Sequence, residues 1–114
     1  MDVIVITKIL SLIAKKAKVW FDIDGTLVSD HKLTELGTWI KDKGLVIDVL
    51  TFGPWNVAEL AKLGITAKTV VVFGDALNNG MAQYTDDGIS KALPNDEWLV
   101  DNEAHPLTKN VIRV

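Results

Sequence analysis

The feature that most constrains the fold is a hydrophobic run that ends in acidic residues, Val19-Trp20-Phe21-Asp22-Ile23-Asp24-Gly25-Thr26. Its aromatic and β-branched residues predict a buried strand. Because side chains alternate along a strand, Asp22 and Asp24 are expected on the same side of it, and Gly25 permits a sharp turn afterwards. Two carboxylates at a buried strand end repel each other, and a cation would relieve that repulsion. The pattern therefore predicts a metal-assisted carboxylate site.

Composition limits the classes of protein to which the chain can belong. Its 114 residues suffice for one small domain, and 48% hydrophobic with 24% charged residues is typical of a globular protein. A net charge of -3 gives no nucleic-acid signature. The absence of cysteine excludes disulfides and thiolate metal sites, and we expect a cytoplasmic protein. No apolar run reaches the roughly 18 residues of a transmembrane helix.

The N-terminal segment, residues 1–17, is unusually apolar. Ile6, Ile9, Leu10 and Ile13 recur at helical spacing, which predicts a helix that covers one face of a sheet. A contact with a second subunit, giving a homo-oligomer, and a helix lying on a membrane surface are the alternatives.

Further strands are predicted at residues 45–51, 69–73, 97–101 and 111–114, after the first at 18–24. Helices are predicted at residues 31–43, capped by Ser29 or Asp30, and from Pro54. Residues 74–89 are predicted to form a loop with a short helix around Met81. Strands that alternate with helices indicate a parallel sheet with right-handed crossovers, and ligands bind at the carboxyl ends of such strands.

The DxDGT pattern that begins at Asp22 resembles the first motif of the haloacid dehalogenase (HAD) superfamily in its phosphatase form. The resemblance implies a three-layer Rossmann-like α/β fold whose five parallel strands, numbered along the chain, lie in the order 5-4-1-2-3. It also implies that Asp22 is a nucleophile that forms an aspartyl-phosphate and that Asp24 is the general acid and base. The family's cap domains have no room here, so residues 1–114 are predicted to be a single capless domain.

Two later positions resemble the second and third motifs of that family. Thr51 ends the second predicted strand, and with Phe52 and Gly53 it would bind the substrate phosphate beside a helix N-terminus. Lys91 would hold the phosphoryl oxygens and offset the clustered negative charge.

Asp101 resembles the fourth motif, and with Asp22 and Asp24 it would complete a Mg²⁺ site of oxygen ligands. Asn102 departs from the family, because many relatives carry a second acidic residue there. Its carbonyl could hold a metal-bound water, and Glu103 is an alternative.

A competing assignment gives the fourth motif to Asp75, within Phe73-Gly74-Asp75-Ala76-Leu77-Asn78-Asn79, and its lysine to Lys68. Chain order favours Asp101, because the strand before Asp75 is expected outside the second strand, away from the first. Asp75 is then a polar loop residue.

Outside these motifs, His31 and His105 are expected to be surface or capping residues, and Trp55 is placed to line a substrate entrance. The resemblance implies a magnesium-dependent phosphatase that hydrolyses phosphomonoesters, either small molecules or phosphorylated macromolecules. The alternative is a catalytically degenerate domain of the same fold that serves as a binding or assembly module.

Overall fold

A parallel sheet of five strands organises the fold. The computed structural model describes residues 2–114. Its elements in chain order are α1 (Val3–Ala14), β1 (Lys18–Phe21), β2 (Val28–Ser29), β3 (Lys32–Leu33), α2 (Glu35–Lys43), β4 (Val46–Thr51), α3 (Val57–Lys62), β5 (Thr66–Val72), α4 (Phe73–Asn78), β6 (Ala82–Thr85), β7 (Gly88–Lys91), β8 (Glu97–Asp101) and β9 (Asn110–Arg113). The sheet order is β5-β4-β1-β8-β9. Because β4, β5, β8 and β9 correspond to the second to fifth predicted strands, the predicted strand order is confirmed.

Consecutive side chains of β1 enter two different cores, one on each face of the sheet. Val19 and Phe21 pack in the larger core, to which α1, α2 and α3 contribute. Trp20 packs in the smaller core with Leu50, Leu99 and residues of α4 and β6. Burial on both faces explains the nearly continuous apolar sequence of the central strands. The arrangement is consistent with a three-layer Rossmann-like fold.

The N-terminal helix α1 packs against the sheet, as predicted. Ile9 and Leu12 are buried in the larger core. Residues 102–109 connect β8 to β9 without a helix, and α1 shares its core with Val100 of β8. Val3 and Ile4 remain 75% exposed. A contact between this exposed end of α1 and a second subunit stays a prediction.

The segment after the first carboxylates differs from the prediction. Residues 31–43 do not form one helix, because β2 and β3 pair as an antiparallel hairpin. Its turn residues Asp30 and His31 have φ angles of 52° and 63°, the left-handed conformation that a two-residue hairpin turn requires. Thr34, rather than Ser29 or Asp30, caps α2 by accepting a backbone N–H of the first helical turn.

Other boundaries also differ. β1 ends at Phe21, whereas the first strand was predicted to reach Asp24. Residues 74–89 are not mainly a loop, because α4 and the β6–β7 hairpin occupy most of the segment, and the short helix lies before Met81. β5 begins at Thr66, earlier than predicted. α3 begins after Asn56, whose side chain accepts a backbone N–H, so Pro54 precedes the helix. Among residues 2–114, no helix is both long and apolar enough to cross a membrane.

Candidate active site

The predicted site residues lie where β1, β4 and β8 end. Asp22 directly follows β1, Thr51 is the last residue of β4, and Asp101 is the last residue of β8. The Asp22 N–H donates to the Val100 carbonyl at 3.0 Å, so the pairing of β1 with β8 extends to Asp22. Two carboxylates on adjacent parallel strands are thereby brought to one edge of the sheet, where ligands of such sheets bind.

A buried lysine joins these two carboxylates. Lys91 Nζ lies 2.9 Å from Asp22 Oδ1 and 2.7 Å from Asp101 Oδ2. Lys91 is only 1% exposed, and an ammonium group removed from water needs such partners. The ring of Phe52 adds a cation–π contact, with its centroid 5.2 Å from Nζ. The structure therefore places the lysine expected from the sequence against both carboxylates.

The two carboxylates respond in opposite directions to this shared environment. Burial raises the pKa of Asp22 to about 6, and the negative charge of Asp101 adds to the rise, although the Lys91 ammonium opposes it. Burial alone would also raise the pKa of Asp101. The hydrogen bond from His105 and the charge of Lys91 outweigh burial there and lower the pKa of Asp101 to about 2.

His105 is the site residue that sequence reasoning missed. It was expected to be a surface or capping residue, but its side chain is buried between Lys91 and Asp101. Its Nδ1 lies 3.1 Å from the Lys91 backbone nitrogen, and its Nε2 lies 2.9 Å from Asp101 Oδ2. The connection from β8 to β9 carries no periodic pattern that marks a buried position. Its spacing of four residues from Asp101 predicts no contact, because this connection contains no helix.

The loops after β1 and β8 are tied together by Thr26 and Asn102. The Asn102 N–H donates to Thr26 Oγ at 3.0 Å, and that hydroxyl donates to Asn102 Oδ1 at 3.2 Å. Gly25 has a φ of 79°, and a Cβ at this position would collide with the Asn102 side chain. The Asn102 amide carbonyl is therefore engaged within the protein.

Asp24 lies on the other, more open side of Asp22. It is exposed, and the Trp55 indole N–H is 3.2 Å from each of its carboxylate oxygens. A Cβ at Gly53 would collide with the end of the Asp24 side chain, so a larger residue there would displace the Asp24 carboxylate. Thr51 is fully buried, and its Oγ accepts the Gly53 N–H at 3.2 Å.

Two cavities meet at Asp24. A small cleft of about 110 Å³ is lined by Asp22, Asp24, Phe52, Gly53, Lys91, Asp101, Glu103 and His105. A larger groove of about 520 Å³ is lined by Asp24, Val28, Asp30, His31, Pro54, Trp55 and Glu59. The Asp24 carboxylate therefore lies between the cleft beside Asp22 and the groove. Trp55 lines the groove but not the cleft, and its role at a substrate entrance stays a prediction.

The competing aspartate lies elsewhere. Asp75 is exposed in the first turn of α4, not in a loop. It follows β5, which is separated from β1 by β4. Lys68 lies exposed on β5, and neither residue lines the cleft.

The cleft has the donor chemistry of a hard-cation site without a preformed ligand cluster. Among residues 2–114, no group of three His, Asp or Glu side chains is arranged to hold a metal ion. Asp22 Oδ2 has a long contact of 3.4 Å with Thr26, and Asp101 Oδ1 accepts the Glu103 N–H. Since each carboxylate oxygen offers about two acceptor sites, both atoms keep capacity for a cation. Oxygen ligands of this kind fit Mg²⁺.

The site is therefore an acidic cleft that contains one buried cation, the Lys91 ammonium group, and it lies beside an open groove. In comparisons with known proteins, no family model, no curated protein and no solved structure matches the sequence or the fold.

Proposed function

We propose that this protein is a phosphomonoester phosphatase of the haloacid dehalogenase superfamily, in its minimal capless form. The observation that carries the proposal is the bridge from Asp22 through the Lys91 ammonium to Asp101, with Asp24 lining the same cleft. A carboxylate held beside a buried cation suits attack on an anionic phosphoryl group, because the cation offsets the repulsion between the two anions.

Asp22 is the proposed nucleophile. Lys91 holds its Oδ1 at 2.9 Å, whereas the contact of Oδ2 with the Thr26 hydroxyl is long, at 3.4 Å. Oδ2 is therefore the atom with capacity to attack phosphorus. In that step the bond from Asp22 Oδ2 to phosphorus forms, and the bond from phosphorus to the alcohol oxygen breaks.

Asp24 is the proposed acid and base. Its carboxyl group gives a proton to the departing alcohol oxygen and then accepts one from the water that attacks the aspartyl-phosphate. That second attack breaks the bond between phosphorus and Asp22 and releases inorganic phosphate. Asp24 suits both roles because it lines the cleft and the groove, so it can face the leaving alcohol and entering water. The Trp55 indole orients its carboxylate.

Lys91, Thr51 and the backbone N–H groups of Phe52 and Gly53 are the proposed donors to phosphate oxygens. The Thr51 hydroxyl oxygen accepts the Gly53 N–H at 3.2 Å, so the Thr51 proton remains available for donation, whereas the Gly53 N–H can reach a phosphate oxygen only when this bond opens. Lys91 supplies the positive charge that the developing transition state needs.

Asp22 and Asp101, with Asp24, would hold Mg²⁺ when it is bound. The metal would supply further charge neutralisation for the phosphoryl oxygens. Asp101 contributes to this capacity because its low pKa keeps it ionised at neutral pH.

A phosphate-release assay tests the proposal. Purified protein is incubated with a panel of phosphomonoesters, including p-nitrophenyl phosphate, with Mg²⁺ or with a chelator. We expect magnesium-dependent release of phosphate by the wild type and none by Asp22→Asn. Equal release by both proteins would point to a contaminant and remove the proposal.

One observation favours the alternative of a degenerate binding or assembly module. The Asn102 carbonyl accepts a hydrogen bond from Thr26, so one of the two acceptor sites that could hold a metal-bound water is already used. Under this alternative, the wild type binds a phosphate analogue or a partner without turnover, and Asp22→Asn binds equally well.

A further inference from the structure

We propose that His105 is a positioning residue that fixes the Lys91 ammonium group against Asp101. The expected effect on turnover rests on the proposed function. The hydrogen bonds that join His105, Lys91 and Asp101 can be tested without it. His105 is 5% exposed and lines the cleft.

The hydrogen-bond partners of His105 fix its tautomer. The Lys91 backbone N–H can only donate, so His105 Nδ1 must accept it. An imidazole that accepts at Nδ1 carries its proton at Nε2, and this N–H then donates to Asp101 Oδ2. The ring is therefore neutral in this arrangement, with each nitrogen assigned to one partner.

These contacts close a ring through three residues. His105 holds the Lys91 backbone at one end, and the Lys91 ammonium returns to Asp101 Oδ2 at 2.7 Å. The same oxygen accepts from His105 Nε2 at 2.9 Å. Because both donors use Oδ2, the rotation of the Asp101 carboxylate is fixed and Oδ1 is turned away from Lys91.

The same connection also holds the other polar group of the Lys91 backbone. Thr108 Oγ donates to the Lys91 carbonyl at 2.7 Å and accepts the Leu93 N–H at 3.2 Å. β7 pairs with β6 on one edge only, and the side chains of His105 and Thr108 serve its other edge. Thr108 supports the Lys91 backbone without a hydrogen bond to Asp101, which makes it a matched control.

Two near-isosteric variants separate the two contacts of His105. In His105→Asn, Oδ1 takes the place of Nδ1, so the contact with the Lys91 backbone is kept and the contact with Asp101 is lost. In His105→Gln, the amide nitrogen reaches the place of Nε2, so the contact with Asp101 is kept instead. Thr108→Val removes a support of the Lys91 backbone and leaves Asp101 untouched.

The first measurement is the kcat for a phosphomonoester, together with the melting temperature of each variant. We expect His105→Asn to lose about 10- to 100-fold in kcat, as is usual for residues that orient a site ligand, and His105→Gln to recover most of it. Thr108→Val should lower the melting temperature but leave kcat within about 3-fold. Loss of kcat in proportion to loss of stability across all three variants would overturn the proposal.

The second measurement does not depend on turnover. The Lys91 ammonium protons are recorded by ¹⁵N-edited NMR, with the Lys91→Met variant for assignment. Burial should make them slow to exchange in the wild type, in His105→Gln and in Thr108→Val, and His105→Asn should lose the signal. If the wild type hydrolyses no phosphomonoester, the proposed function fails and this comparison still decides the role of His105. An unchanged signal in His105→Asn would overturn that role.

Discussion

The two sides of Asp22 are built differently. On the β8 side, Asp101, Lys91 and His105 are buried and hydrogen-bonded to one another. On the β4 side, Asp24 is exposed and its carboxylate is held by the Trp55 indole. The closed, buried side holds the charges of Lys91 and Asp101 in place before a ligand binds. The open side leaves a groove beside Asp24 for the larger part of a ligand.

The contrast extends to protonation. Asp22 and Asp101 share the Lys91 ammonium, yet the pKa of Asp22 is raised to about 6 and that of Asp101 is lowered to about 2. Burial dominates at Asp22, while the His105 and Lys91 contacts outweigh burial at Asp101. Asp101 therefore serves as a stable anion, and Asp22 as a less stabilised anion that is suited to attack.

The largest expected effect concerns the residue between the two sides. Asp22→Asn should lower kcat at least about 10⁴-fold, because removal of a nucleophile abolishes the covalent route. The fold should survive, since the amide keeps the shape of the side chain and removes a buried charge. Steady-state kinetics and circular dichroism on the same preparation check this. Turnover near the wild-type rate in the folded variant would contradict the role of Asp22.

On the open side, Asp24→Asn should lower kcat about 10²-fold or more for an alkyl phosphate, because proton transfer to the leaving oxygen is lost. The loss should be smaller for p-nitrophenyl phosphate, whose leaving group needs less protonation. Trp55→Phe, which keeps an aromatic ring but removes the indole N–H, serves as the control and should have a much smaller effect. Equal losses on both substrates would argue that Asp24 acts only in the second step or not as an acid.

On the closed side, Asp101→Asn should raise the Mg²⁺ concentration needed for half-maximal activity about 10- to 100-fold. Asp75→Asn should change it little, because Asp75 lies beyond β4 in the sheet order. Titrations of activity and of melting temperature against Mg²⁺ separate the two variants. The opposite ranking would assign the metal site to Asp75.

The smallest effect is in the pH dependence of stability without metal. A pKa raised to about 6 means that neutral Asp22 stabilises the fold, and this contribution is lost as pH rises from about 4 through 6. Asp22→Asn should therefore gain melting temperature relative to the wild type between pH 4 and 7. Asp101→Asn should have a lower melting temperature than the wild type at neutral pH, and the two should approach each other only near pH 2. Parallel profiles of melting temperature against pH for all three proteins would contradict the opposite pKa shifts of Asp22 and Asp101.

The central strands were predictable because β1, β4 and β8 are apolar runs that end at polar residues, and burial on both faces demands such runs. The β2–β3 hairpin was not, because two-residue strands carry no periodicity. Its turn uses Asp30 and His31 at positive φ without a glycine. α2 was placed too early for the same reason.

In the site, the shared edge of Asp22 and Asp24 could be predicted from the strand that they follow, whereas Thr51 and Asp101 were selected through their resemblance to the family's motifs. His105 was not predictable, because its burial depends on contacts between the β8–β9 connection and the β6–β7 hairpin. Such contacts between segments distant in sequence leave no local pattern.

The proposed function depends most directly on a phosphoryl bond to Asp22. The protein is mixed with a phosphomonoester, quenched during turnover and reduced with borohydride, which converts an aspartyl-phosphate to homoserine, and the peptides are mapped by mass spectrometry. We predict homoserine at position 22, with aspartate unchanged at positions 24 and 101. Phosphate release without modification at position 22, or modification at position 24 or 101 instead, would contradict the assignment of Asp22 as nucleophile.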